Sequence, residues 1–156
     1  MLDAIHISRP EFDPENIRNL LLSVVEIHLF LAFAQEAFYQ NELSLCLSVC
    51  SQISTYLAHS TFTKFELEQL RAEHAIVYGK YLLATKDFKT ALSLLDSCRI
   101  QAAANLDDSL IHELTFLTAL CHYHLGDKKQ AALFIKAAFF SAHSIESTYA
   151  TICRNY

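Results

Sequence analysis

The residues best suited to chemistry in this chain are its cysteines and histidines, and they are densest in Cys121-His122-Tyr123-His124. A metal such as zinc needs three or four ligands of this kind converging on one point. Neighbouring side chains on a helix fan out about 100° apart, so these residues cannot converge. Cys46 and Cys50 stand one helical turn apart and could share a ligand, yet both fit core positions of a helix, where a free thiol packs like a small hydrophobe. The five cysteines form an odd set without Cys-x-x-Cys spacing, so buried reduced thiols are expected and no metal site is assigned. No Gly-x-Ser-x-Gly or His-Glu-x-x-His is present, and two glycines cannot build a phosphate-cradling loop. The chain is therefore expected not to be an enzyme and to need no cofactor. Glu26, inside an apolar segment, is the most anomalous charge, because an unpaired buried carboxylate is very costly. Either it reaches solvent or an arginine such as Arg71, or it serves as a structural anchor or ligand contact.

Composition narrows what could position these groups. The 156 residues fit one domain, which would bury roughly 70% of the surface the unfolded chain exposes. Apolar types make up 53% while glycine and proline occur twice each, a balance that suits long helices joined by short polar turns. The formal charge of -5 has the wrong sign for holding a phosphate backbone, so no direct nucleic-acid binding is expected. The apolar stretch from Leu20 to Ala34 is interrupted by Ser23, Glu26 and His28 and is shorter than the roughly 20 residues a bilayer requires, so no membrane span is expected. The N-terminus lacks the layout of a signal peptide, which points to the cytoplasm.

Residues 1–12 read as an arm, and 13–156 as one helical-repeat domain. Asp13-Pro14-Glu15 starts a helix, with a cap acceptor, a proline at the first turn and an acid facing the helix dipole. From Ile17 onward apolar residues cover more than one face, which predicts burial on two sides. Breaks at Gln40-Asn41-Glu42, His59-Ser60-Thr61, Lys86-Asp87, Asn105 to Asp108 and Gly126-Asp127 predict further helices near 43–58, 64–84, 88–104, 109–125 and 128–142. Ser144 offers the N-cap of a short terminal helix.

Repeats decide the architecture. Tyr78 to Ala91 aligns with Thr118 to Ala131, each a helical hairpin. A small residue, Gly79 or Ala119, sits where the first helix must approach its mate, and Ala91 or Ala131 answers from the second. Leu95 and Cys98, or Ile135 and Ala138, follow on one face. A poorer earlier copy has Ala34, Cys46, Cys50 and Ile53. Successive copies are 45 residues (Ala34 to Gly79) and 40 residues (Gly79 to Ala119) apart, longer than the tetratricopeptide period of about 34. The expected fold is all-α, with tetratricopeptide-like hairpins stacked in a right-handed superhelix whose concave face is lined by the first helix of each pair.

The segment Val24-Val25-Glu26-Ile27-His28-Leu29-Phe30 resembles the aromatic-aromatic-Glu-Leu-x-Leu-Phe signature in the regulatory domains of Rgg/GadR/MutR-type transcriptional regulators of Gram-positive bacteria. Turns like Lys86-Asp87 and Gly126-Asp127 follow at similar distances in that family. Where the signature often carries Trp-Gly-Tyr-Tyr, this chain has Leu22-Ser23-Val24-Val25. The resemblance implies a homodimer that senses a short signalling peptide on its concave surface, in quorum-sensing fashion, and relays binding to a helix-turn-helix domain. The chain enters its repeats directly after a short arm, so either an excised regulatory domain or a stand-alone relative is expected.

The frame set by Ala34, Gly79 and Ala119 projects His28, Gln35 and Phe38 from the first hairpin onto the inner face. Glu73, Ile76, Lys80 and Leu83 follow from the second, and Glu113, Phe116 and Tyr123 from the third. Aromatic and apolar members would hold peptide side chains while Lys80, Gln35 and the acids fix main-chain polarity or a terminus. The alternative is a stand-alone adaptor or chaperone that binds a partner protein. The stretches Phe30 to Tyr39 and Phe134 to Phe140 are more apolar than terminal helices need, and one of them is expected to form the homodimer interface.

Overall fold

The computed structural model describes the backbone of residues 14–102 and 105–145 and the side chains of 24–101 and 105–139. Within those limits the chain is all-helical, with α1 (Pro14–Tyr39), α2 (Leu43–Ala58), α3 (Lys64–Ala84), α4 (Phe88–Ala102), α5 (Asp108–His124) and α6 (Lys128–Ile145). The bounds expected from the turn residues hold to within a few positions. Ser144 is not an N-cap, because α6 continues through it to Ile145. The N-terminal arm and any helix after 145 lie outside the described residues.

One turn geometry recurs three times. Asn41, Lys86 and Gly126 each adopt a left-handed backbone, with φ of 63°, 66° and 89°. In each case the next residue's N–H donates to a carbonyl five positions back: Glu42 to Ala37 (2.8 Å), Asp87 to Leu82 (2.9 Å) and Asp127 to His122 (2.9 Å). This closure satisfies the orphan carbonyls at a helix end and reverses the chain. Glycine takes that backbone freely and asparagine tolerates it, whereas Lys86 holds it against a steric cost. Asp87 and Asp127 then cap α4 and α6 by accepting from the Thr90 and Gln130 amides. Counted from these turns, Ala34, Gly79 and Ala119 are equivalent, as are Cys46, Ala91 and Ala131, so the first hairpin shares the register of the other two.

Between hairpins the caps differ. Thr63 and Glu66 form a reciprocal capping box at the start of α3. Asp107 caps α5 through the Leu110 amide (3.0 Å) and also accepts from the Ser109 hydroxyl (2.7 Å). These bonds hold the Asp107 carboxyl below its ordinary range, the Ser109 bond contributing most.

Each hairpin packs internally, α2 meets α3 and α4 meets α5. The odd helices also touch, α1 with α3 and α3 with α5, whereas among the described residues the backbones of α2 and α4, and of α4 and α6, do not approach each other, and the Arg99 guanidinium of α4 reaches across to lie 4.9 Å over the Phe134 ring of α6. The odd helices thus form one row, which we call the inner row, and the even helices stand farther apart from one another.

Two cores result, and α3 serves both. Leu70 and Val77 pack with Ile27, Leu31, Ile53 and Leu57, while Ala72, Ala75, Ile76 and Leu82 pack with Leu95, Leu114 and Leu117. Cys46 and Cys50 are buried in the first core, and burial pushes the Cys50 thiol up to about 12. His74 joins α3 to α2, its Nε2–H donating to the Cys50 carbonyl at 3.0 Å. His112 of α5 likewise meets the Ala138 carbonyl of α6 at 2.9 Å. The first helix corrects one expectation. Ile27, Leu31 and Ala34 are buried, but the stripe Val25, Leu29 and Phe33 is 53% to 63% exposed, so the described chain covers α1 on one side only. Glu26 lies on the exposed side of the helix.

Gly79 is where small size matters most. A Cβ built there would lie 2.9 Å from Leu95 Cδ2 and 3.1 Å from its Cδ1 and Cγ, and Leu95 is wholly buried. Gly79→Ala is expected to lose about 1 kcal/mol net, overpacking outweighing the gain in helix propensity. In a Leu95→Ala background, itself costing about 2–5 kcal/mol, the same change should become stabilising by roughly 0.5–1 kcal/mol. Urea unfolding of the four variants measures this, and additive effects would show that the contact does not matter.

Candidate functional site

The inner row leaves a cleft of about 250 Å³ between α1 and α5, floored by α3. Leu31, Ile76, Val77 and Leu110 give it an apolar base, and Ala32, an exposed residue, stands at its edge. Its polar groups are His28 and Gln35 from α1, Glu73 from α3 and Glu113 from α5. All four polar groups share a side of their helices because they fall at three-, four- or seven-residue spacings with the buried positions.

Two ion pairs cross this surface. His28 Nδ1 lies 3.5 Å from Glu73 Oε1, linking α1 to α3. Lys80 Nζ lies 3.0 Å from Glu113 Oε2 and donates to the Tyr39 hydroxyl at 3.1 Å, so one ammonium joins α1, α3 and α5. The Lys80 side chain is only 15% exposed. Burial works against its charge, but hydrogen bonds to Tyr39 and Glu113 outweigh that and raise its pKa, keeping it charged at neutral pH. Glu73 shows the opposite balance. Burial raises its carboxyl pKa, His28 pulls the other way, and the Asp107 charge adds to the rise.

Of the expected inner-face residues, His28, Gln35, Glu73, Ile76 and Glu113 meet in the cleft, and Lys80 joins through Glu113. Ile76 is almost fully buried and forms floor more than contact surface. Phe38 and Leu83 do not belong there, because each packs against a core. Phe116 and Tyr123 are exposed on α5, 42% and 58%, beyond the cleft lining. Tyr39 was missed, although it lies four residues after Gln35 in the same register.

The cysteine and histidine run of α5 diverges as helical geometry requires. Cys121 is buried, His122 stacks on Phe134 of α6 at 5.3 Å, and His124 stacks on Phe88 of α4 at 4.5 Å. Among the described residues no three His, Cys, Asp or Glu side chains are gathered to hold a metal ion. None of the described helices is long and apolar enough to cross a membrane.

The chain matches no protein-family model, no curated protein and no solved structure.

Because Glu73 is held above its ordinary value, the folded state binds its proton more tightly than the unfolded chain does. Its contribution is most favourable below the unfolded carboxyl value of about 4.3 and is lost as pH rises through the folded value. Glu73→Gln should therefore be more stable than the parent at pH 7, with the difference fading by about pH 4. Thermal melts across that range measure it, and a variant less stable at pH 7 would show that the His28 pair dominates.

Proposed function

We propose that this chain is a peptide-binding domain of tetratricopeptide-like architecture, with α1, α3 and α5 as the concave row of a right-handed superhelix. The recurrence of one turn geometry at Asn41, Lys86 and Gly126 supports the repeat, and the closer backbone approach along the odd helices among the described residues supports the direction of curvature. The observation that carries the binding assignment is the Lys80 ammonium shared between Tyr39 and Glu113 beside an apolar-floored cleft. An extended peptide offers what this surface lacks. Its side chains can enter above Leu31 and Val77, and its amides and termini can exchange hydrogen bonds with Gln35, Glu73 and Lys80.

The resemblance around Glu26 supplies the output in this reading, a regulatory domain that senses a signalling peptide and passes the result to a DNA-binding domain. The negative charge of the chain agrees with DNA being contacted elsewhere. We assign the homodimer contact to the exposed stripe Val25, Leu29 and Phe33, an i, i+4, i+8 row suited to a second copy of α1. Sedimentation at high micromolar concentration should show a dimer that Phe33→Glu converts to monomer. A parent that stays monomeric at that concentration would remove this contact.

The cleft is tested with heptapeptides selected from a random display library on the immobilised domain. Ala32→Trp plugs the cleft from an exposed position and should weaken selected peptides at least tenfold while leaving the melting temperature within a few degrees. Lys80→Ala should weaken them by about the worth of one charged hydrogen bond, roughly tenfold. Peptides that bind both variants as tightly as the parent would place recognition on another face.

A further inference from the structure

A second and larger cleft lies where α2 and α4 stand apart on α3. It is an open cleft of about 460 Å³, within the ~300–1,000 Å³ range of small-molecule sites. Exposed hydroxyls line both walls, Ser54 on α2 and Ser93 and Ser97 on α4, while α3 contributes the exposed Arg71 and the buried His74. Leu57 and Leu94 give it an apolar flank.

Its electrostatics are simple. Among the described residues that line it, the only formal charge is the Arg71 guanidinium. Among the described residues Arg71 has no hydrogen-bond or ion-pair partner. Glu68, one turn earlier on α3, has its carboxylate engaged by the Asn105 amide at 2.7 Å. His74 is buried, and its Nε2 must carry the proton because it faces the Cys50 carbonyl, which leaves Nδ1 as an acceptor. Burial lowers the His74 pKa, against the Cys50 bond that raises it, so the ring is neutral at physiological pH. Burial raises the Cys98 thiol, Arg71 opposing and Glu68 adding, so Cys98 brings no negative charge.

We propose that this outer cleft binds a small organic monocarboxylate, its carboxylate on Arg71 and its body held between the serine hydroxyls and the Leu57–Leu94 flank. A planar carboxylate matches the guanidinium fork with two parallel hydrogen bonds. Among the described lining residues Arg71 is the single cation, so the site offers one positive charge, which a monocarboxylate matches more closely than a phosphate dianion. The His74 acceptor favours a ligand with a hydroxyl or N–H donor on its body. The assignment is independent of peptide binding on the inner face.

The test is calorimetric titration of the full chain with 4-hydroxybenzoate, indole-3-acetate and N-acetylglycine, each beside its primary amide, and with inorganic phosphate. At least one carboxylate should bind with submillimolar Kd, and its amide at least tenfold more weakly. Arg71→Met should remove that binding, Arg71→Lys should retain part of it, and Ala32→Trp should leave it unchanged. The proposal is overturned if no carboxylate binds, if Arg71→Met binds as the parent does, if phosphate binds as tightly as the best carboxylate, or if Ala32→Trp abolishes binding.

Discussion

The absence of one methyl group, at Gly79, sets the distance between α3 and α4. Leu95 seats directly on the α3 backbone there, with no room for a side chain. The third hairpin lacks this seat, having Ala119 in place of Gly79 and a partly exposed Ile135 in place of Leu95. Close contact matters most in the second hairpin because α3 is shared by everything else. It gives side chains to both cores, floors the inner cleft with Ile76 and Val77, and lines the outer cleft with Arg71 and His74. A helix so surrounded cannot be simply amphipathic, and α3 alternates small, apolar and charged residues around its circumference.

Three polar groups on α3 show one competition with different winners. Burial disfavours the charged form of each. At Lys80 two hydrogen bonds win and the ammonium stays charged. At His74 burial wins over a carbonyl bond and the ring stays neutral. At Glu73 burial, helped by Asp107, wins over a partly exposed histidine. What decides each case is the strength of the partner, a carboxylate with a phenol, a carbonyl, or an imidazole 51% exposed to water.

The helices could be read from the sequence because each turn announces itself chemically, by Asn41, Lys86-Asp87 and Gly126-Asp127 between apolar runs. The repeat of the first hairpin was harder to see. Its second helix inverts the order of large and small, with Cys50 and Ile53 where the second hairpin has Leu95 and Cys98, so side-chain size conceals a register that backbone hydrogen bonds preserve. On the inner face, helical spacing placed His28, Gln35, Glu73 and Glu113 together, yet chose Phe38 over Tyr39. Adjacent residues differ by about 100° around the axis, and only packing shows which ring enters the core and which meets Lys80. Burial of α1 on two sides, expected from its apolar residues, is met by the described chain on one side only. An apolar segment indicates that a face can be covered without saying by what.

The connectivity of the helices also governs how the chain reaches this state. Among the described residues every contact between elements joins helices adjacent or next but one in sequence. Loops to be closed are therefore short, contact order is low, and the search for native contacts is fast for a chain of this length. Order can spread from whichever hairpin forms first, and among the described residues it is held best where a hairpin packs against neighbours on both sides. The α3–α4 hairpin, packed on both sides, is the part that loosens last.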